Sequence, residues 1–187
     1  MTDLNSTASC DRNPDSQDTK DLNPDARYIA FIELLFFAYR DFTSEPDAIL
    51  RKYGFGRAHH RVLHFVHRKP GLTVADLLKI LKITKQSLAR VLKQLIAEGF
   101  IEQKSGAMDR RQRLLYVTAK GRDLALELAE RQAHRVQAAL DEAGPHGHAA
   151  VSRFLLTMVA PQNRSDVMDL VDKVNLLSDM GDSDEIF

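Results

Sequence analysis

TKQSLARVLKQLIAEG, residues 84–99, runs directly into FIEQKSGAMDRRQRLLYVT, residues 100–118. On a helical wheel the first segment gathers Leu88, Val91, Leu92, Leu95 and Ile96 in one apolar arc, the spacing of a helix with one buried face. The opposite arc holds Gln86, Ser87, Arg90, Lys93 and Gln94 and contains no acid. Thr84 stands at the N-cap ahead of Lys85, and Gly99 stands where a left-handed C-cap is wanted, with Phe100 as its apolar partner. Residues 100–104 and 113–118 read as paired strands. Between them lies the turn-prone Ser105–Met108 and then a basic tip, Asp109-Arg110-Arg111-Gln112-Arg113. A helix with a base-reading face, joined to a hairpin with an arginine tip, is a winged helix-turn-helix in outline. The candidate DNA-binding residues are therefore Thr84, Lys85, Gln86, Ser87, Arg90, Lys93 and Gln94 on the helix, with Asp109, Arg110, Arg111 and Arg113 on the hairpin.

A net charge of zero would by itself argue against nucleic acid. The distribution argues for it. Residues 57–113 carry thirteen Lys and Arg against four acids, a net of +9, whereas residues 1–25 sum to −4, 26–56 to 0 and 120–187 to −5. A basic centre between acidic ends is an electrostatic footprint suited to phosphate. The 187 residues, 44% apolar and 28% charged, supply a core for one domain with appendages. Cys10 is the single cysteine, which excludes a disulfide within the chain, points to a reducing compartment, and reads as an incidental thiol. No signal peptide is recognisable, and the longest apolar run, Tyr28–Tyr39, is broken by Glu33 and too short to span a bilayer. The expected location is the cytoplasm, with no membrane partner.

Outward from the centre, residues 57–68 read as the first helix of the DNA-binding unit, with Ala58, His59, Val62, Leu63, Phe65 and Val66 on its apolar arc. His60, His64 and His67 share the other arc with Arg57, Arg61 and Arg68. Their i, i+4, i+7 spacing raises a zinc site, with a solvated basic stripe as the plainer reading. Pro70-Gly71 breaks the chain; Thr73 with Asp76 forms a capping box, and Lys82-Ile83-Thr84 makes the turn, with Lys82 where a left-handed residue is needed. Upstream, Tyr28–Phe42 is a helix apolar on nearly every side, and Ser44-Glu45-Pro46-Asp47 reads as a second capping box opening a short helix that Gly54 ends. Downstream, one long helix spans Ala119–Glu142, a further amphipathic helix carries Val151 to Val159, and Ser165 is expected to cap a last one.

The stretch PGLTVADLLKILKITKQSLARVLKQLIAEGFIE followed by DRRQRLLYVTAKG resembles the MarR family of winged-helix transcriptional regulators. The family's wing pattern falls on Asp109 and Arg111, and its exit on Val117-Thr118-Ala119-Lys120-Gly121; the resemblance covers about residues 28–172. It implies that Arg111 enters a minor groove while Asp109 steadies its guanidinium. It also implies repression or activation at a promoter, modulated by a small ligand between the dimer helices and the DNA lobe. Phe36, Tyr39, His59 and His60, with Phe37, are the candidates to line such a cleft, plain core packing being the alternative for each. In the family's peroxide-sensing branch a reactive cysteine sits in a stretch similar to Leu34–Tyr39; here the matching position is Leu35, and that mechanism is absent.

The fold class expected is mainly α with a small β-hairpin wing (α+β): a winged helix-turn-helix plus a helical dimerisation region. Its organisation is an acidic disordered tail over 1–26, dimerisation helices over 27–55, the DNA-binding domain over 56–118, dimerisation helices over 119–177 and an acidic tail over 178–187. The function expected is a homodimeric, sequence-specific regulator bound to a pseudo-palindromic operator of double-stranded DNA and modulated by a small-molecule effector. A winged-helix adaptor that binds protein instead would show little salt dependence and no preferred sequence. A hydrolase built on His60, His64 and His67 lacks a general-base carboxylate at helical spacing and any nucleophile motif. The chain is read as non-enzymatic, with no cofactor and no metal.

Overall fold

The computed structural model describes residues 25–106 and 111–171. The two acidic tails, Cys10, and the wing-tip residues Asp109 and Arg110 lie outside the described residues, apart from the few tail-flanking positions at 25–26. The described chain forms two units that divide between Ala38 and Tyr39. Elements run α1 (Ala26–Arg51), α2 (Arg57–Arg68), β1 (Leu72–Thr73), α3 (Val74–Leu81), α4 (Lys85–Ala97), β2 (Ile101–Ser105), β3 (Arg113–Val117), α5 (Ala119–Ala143), α6 (Gly147–Met158), a 3-10 turn (Pro161–Asn163) and α7 (Arg164–Leu170).

In the first unit, residues 27–38 are helical and exposed throughout, with Tyr28, Phe31, Leu34 and Phe36 all more than half exposed. The apolar side chains of this segment form an exposed patch rather than singly scattered residues. None of the described helices is long and apolar enough to cross a membrane.

In the second unit the core lies where α2, α3, α4 and the sheet converge. Val62, Leu63 and Val66 of α2 meet Leu77 of α3, Leu88 and Leu95 of α4, and Leu115 of β3, each essentially without exposure. Each such side chain contributes about 1.5–3 kcal/mol of burial. Leu124 and Leu128, from the first turns of α5, complete the same cluster. The remainder of α5 leaves it, so Val136 is 45% exposed, as are Leu155 and Met158 of α6 at 55% and 60%.

Three local expectations are met by geometry. Thr73 accepts the Asp76 N–H while the Asp76 carboxylate accepts from the Thr73 N–H. Lys82 is left-handed at φ 52, ψ 41, and Gly99 at φ 75. A lysine there costs about 1–2 kcal/mol more than glycine.

Three are corrected. The box at Ser44–Asp47 opens no new helix; α1 runs through Pro46 to Arg51. Proline removes the N–H that would reach the Phe42 carbonyl, and Gln132 of α5 donates its Nε2 to that oxygen at 3.4 Å instead. The Thr43 and Ser44 hydroxyls turn back to helix carbonyls at Tyr39, Arg40 and Asp41, which is a mid-helix habit and not a cap. The sheet has a third strand, order β1-β3-β2, because Leu72 and Thr73 pair antiparallel with Leu115 and Leu114. Two residues are too few to show alternation in sequence. Finally, α7 starts at Arg164, one residue before the expected cap Ser165, because the Pro161–Asn163 turn leads straight into it.

Candidate nucleic-acid interface

The recognition helix α4 is set at both ends by side chains. At its start Thr84 accepts the Ser87 N–H at 3.1 Å and its hydroxyl donates to Ser87 Oγ at 2.9 Å. Thr84 and Ser87 are thus occupied with the cap. Lys85, Gln86, Arg90 and Lys93 are exposed, and none has a hydrogen bond or ion pair among the described residues. Four long polar side chains on one face of a helix, with no acid to neutralise them, form a surface that phosphate and base edges can satisfy.

Gln94 behaves differently from its neighbours on that arc. Its Oε1 lies 2.9 Å from His59 Nε2 and its Nε2 donates to Glu98 at 3.0 Å. His59 Nδ1 in turn accepts the Gly56 N–H at 3.1 Å, and the ring stacks on Phe55 at 4.7 Å. The imidazole is therefore neutral, with its proton on Nε2. Partial burial pushes its pKa below the ordinary 6.5. His59 and Gln94 tie the start of α2 to the recognition helix.

The end of α4 is clasped by the wing exit. The Thr118 hydroxyl donates to the Gly99 carbonyl at 2.7 Å and accepts the Gly121 N–H at 3.1 Å, so one residue caps α5 and closes α4. Lys120 donates to the Glu98 carbonyl at 2.9 Å while its ammonium lies 4.1 Å from the Phe100 ring centre. A Cβ at Gly121 would overlap the Phe100 carbonyl oxygen. Thr118, Lys120 and Gly121 are positioning residues whose sequence signal was the Thr-x-Lys-Gly pattern itself. In the hairpin, Arg113 donates to Ser105 Oγ at 3.0 Å, and Gly106 N–H to the Gln112 carbonyl at 3.0 Å closes the base of the tip. Arg111 is exposed there.

A cleft of about 340 Å³ opens on the opposite side of α2, lined by Tyr39, Phe42, Thr43, Arg57, His60, Arg61, His64, Phe65 and Gln132. Of the four candidate ligand residues, Tyr39 and His60 belong to it. His59 faces Phe55 and Gln94 instead, and Phe36 is exposed in the first unit. The walls are cationic but partly engaged: Arg57 pairs with Asp47 at 2.9 Å and lies 5.3 Å from the Tyr39 ring, and Arg61 donates to the Leu81 carbonyl at 3.3 Å. Desolvation lowers the pKa of His60, with the neighbouring His64 adding to it; His64 is lowered by desolvation and by Arg68. Gln132, from far along α5, had no sequence signal. His60, His64 and His67 do not form a group able to hold a metal ion among the described residues.

Comparison with known proteins bears on the family and the fold. The model of the MarR family matches residues 53–112, the span from the end of α1 to the wing. An HTH-type transcriptional regulator, PetP of Rhodobacter capsulatus, is 48% identical over 141 residues, 75% of this chain and 85% of its own. FabT of Streptococcus pneumoniae, solved in complex with DNA, superposes with a TM-score of 0.64 at 20% identity, covering 75% of this chain and 99% of that one. A MarR family transcriptional regulator of Listeria monocytogenes, complexed with 26mer DNA, gives 0.60 at 20% identity over 78% and 92% of the two chains. These two share the fold.

Proposed function

The chain belongs to the MarR family of transcriptional regulators, and we propose that it acts as a homodimer on a pseudo-palindromic operator. In this reading α4 lies in the major groove and the wing tracks the adjacent minor groove. Occupancy of the α2 cleft by a small effector modulates the complex in the cytoplasm. One observation carries the proposal: Lys85, Gln86, Arg90 and Lys93 stand free of any acid on a helix whose other face is locked into the core. Solved neighbours that carry DNA support the same docking.

Within the helix the roles divide. Gln86 and Arg90 are a turn apart near the start and are placed for base edges, where a bidentate pair is worth about 1–3 kcal/mol of discrimination. Lys93 lies further along, toward the groove edge, where a phosphate contact adds about one unit to the salt slope and no sequence information. Gln94 is committed to His59 and Glu98 and contributes no base preference.

The test is selection of bound duplexes from a random pool, and then a base-by-base affinity profile at two salt concentrations. Arg90→Ala is expected to flatten preference at one or two base pairs in each half-site. Lys93→Ala is expected to weaken all sequences alike, and Gln94→Ala to leave the profile unchanged. Absence of any enriched sequence with the unaltered protein would favour the protein-binding adaptor and end this reading.

A further inference from the structure

Among the described residues Lys82 is the single non-glycine with a positive φ, at φ 52 and ψ 41. The turn pins it there from both sides. Its N–H donates to the Leu78 carbonyl at 3.1 Å, and Arg61 Nη2 donates to the Leu81 carbonyl at 3.3 Å. Leu81 before it is buried, and Ile83 after it packs on the core. A left-handed backbone sets Cβ against the following carbonyl oxygen, and glycine would take the same shape without that cost. Strain that a fold retains at one position points to a use for the side chain.

That use does not lie within the described chain. Lys82 is exposed, so its stem fills no core. It borders a cavity of about 300 Å³ between α3 and α7 together with Lys69 and Lys79. Lys69 donates to the Asp169 carbonyl at 2.9 Å and Lys79 pairs with Asp166 at 3.2 Å. Asp76, on the same wall, is taken by the Thr73 N–H and hydroxyl. Of the three lysines, Lys82 is left with no side-chain hydrogen bond or ion pair among the described residues. It stands just before Thr84, the cap of α4, and no acid occurs between Asp76 and Glu98. The cationic face of α4 thus extends back across the turn. We propose that Lys82 is a phosphate contact of the DNA complex, holding the duplex backbone where α4 enters the groove. This rests on the DNA-binding role proposed for α4. Such a contact adds affinity without base preference. Each phosphate neutralised contributes a slope of about 0.9, an affinity factor of about eightfold for a tenfold drop in salt.

Lys82→Gly in the full chain relieves the strain and removes the charge, so its two effects have opposite signs. The thermal midpoint is expected to hold or to rise by about 2 °C. Affinity for a random-sequence duplex is expected to fall about eightfold at about 0.1 M salt, with the salt slope lower by about 0.9. The selected operator should lose by the same factor. Lys82→Asn, which accepts the left-handed region without a charge, is expected to lose the same affinity, and Lys82→Arg to keep it. An unchanged slope in the Gly and Asn variants overturns the proposal, as does a loss that Lys82→Arg shares. A lowered midpoint with unaltered DNA binding would overturn it too, assigning Lys82 to the contact between α3 and α7. Lys93→Ala in the same titration separates this inference from the reading of α4. A slope lowered by Lys93→Ala but not by Lys82→Gly ends only the inference, whereas an unaltered protein that binds no duplex ends both.

Discussion

His59 shows how much a single side chain in this lobe depends on its protonation state. With Nδ1 accepting from Gly56 and Nε2 facing Gln94 Oε1, a second proton would set two donors against each other at Nδ1. Of its charged neighbours, Glu98 favours and Arg90 disfavours its protonation, each less than burial does. His60 and His64 are also depressed below 6.5, first by desolvation. All three shifts have the same sign, so the folded lobe binds fewer protons than the unfolded chain in that window. Stability is therefore fully present above the unfolded value and is lost as pH falls below it. Thermal midpoints measured between about pH 7.5 and about pH 5.5 are expected to drop with acid, and His59→Gln is expected to reduce the drop. A flat profile for the unaltered protein would contradict the neutral-histidine geometry.

At the scale of elements, the recognition helix is held from its C-terminal side as firmly as from its N-terminal cap. Thr118 and Lys120 both reach back to the carbonyls that end α4, and Gly121 is the only residue type that lets α5 start so close to Phe100. The clash is with backbone, which cannot swing aside as a side chain would. Gly121→Ala is expected to destabilise the lobe by about 1–3 kcal/mol and to weaken DNA binding beyond the unfolded fraction. Chemical denaturation paired with DNA titration checks this; wild-type values in both would rule out the clasp. Helix α1 shows the reverse case, where a local signal loses. A proline behind Ser44 resembles a helix start, yet α5 supplies Gln132 for the orphaned Phe42 carbonyl, and burial of Pro46, Ile49 and Leu50 favours carrying the helix on.

For the whole molecule, the exposed apolar surface is the dominant fact. Residues 27–38 in the first unit, and Val136, Phe154, Leu155 and Met158 in the second, leave large side chains in water. Patches of this kind on a chain of ordinary hydropathy mark an interface. The interface we propose is with a second copy. Leu155→Glu with Met158→Glu is expected to shift sedimentation from dimer to monomer at micromolar concentration. The same pair should lower operator affinity more than affinity for a single half-site, since two lobes one helical turn apart, about 34 Å, act together. A monomeric unaltered protein would end this idea.

Most of the DNA lobe was legible from sequence because its determinants are local. Apolar spacing in α2 and α4, caps at Thr73, Thr84 and Thr118, and left-handed Lys82 and Gly99 each depend on neighbours within a turn. The uninterrupted α1, the strand at Leu72–Thr73, the turning of Gln94 toward His59 and the Arg57–His60–Gln132 cleft were decided by tertiary structure. In each of these a backbone or side-chain group finds its partner some 30 to 90 residues away: Gln94 from His59 across 35, Gln132 from Phe42 across 90. Periodicity and capping patterns report only what a residue's near neighbours can satisfy; a partner brought in by packing leaves no trace in them.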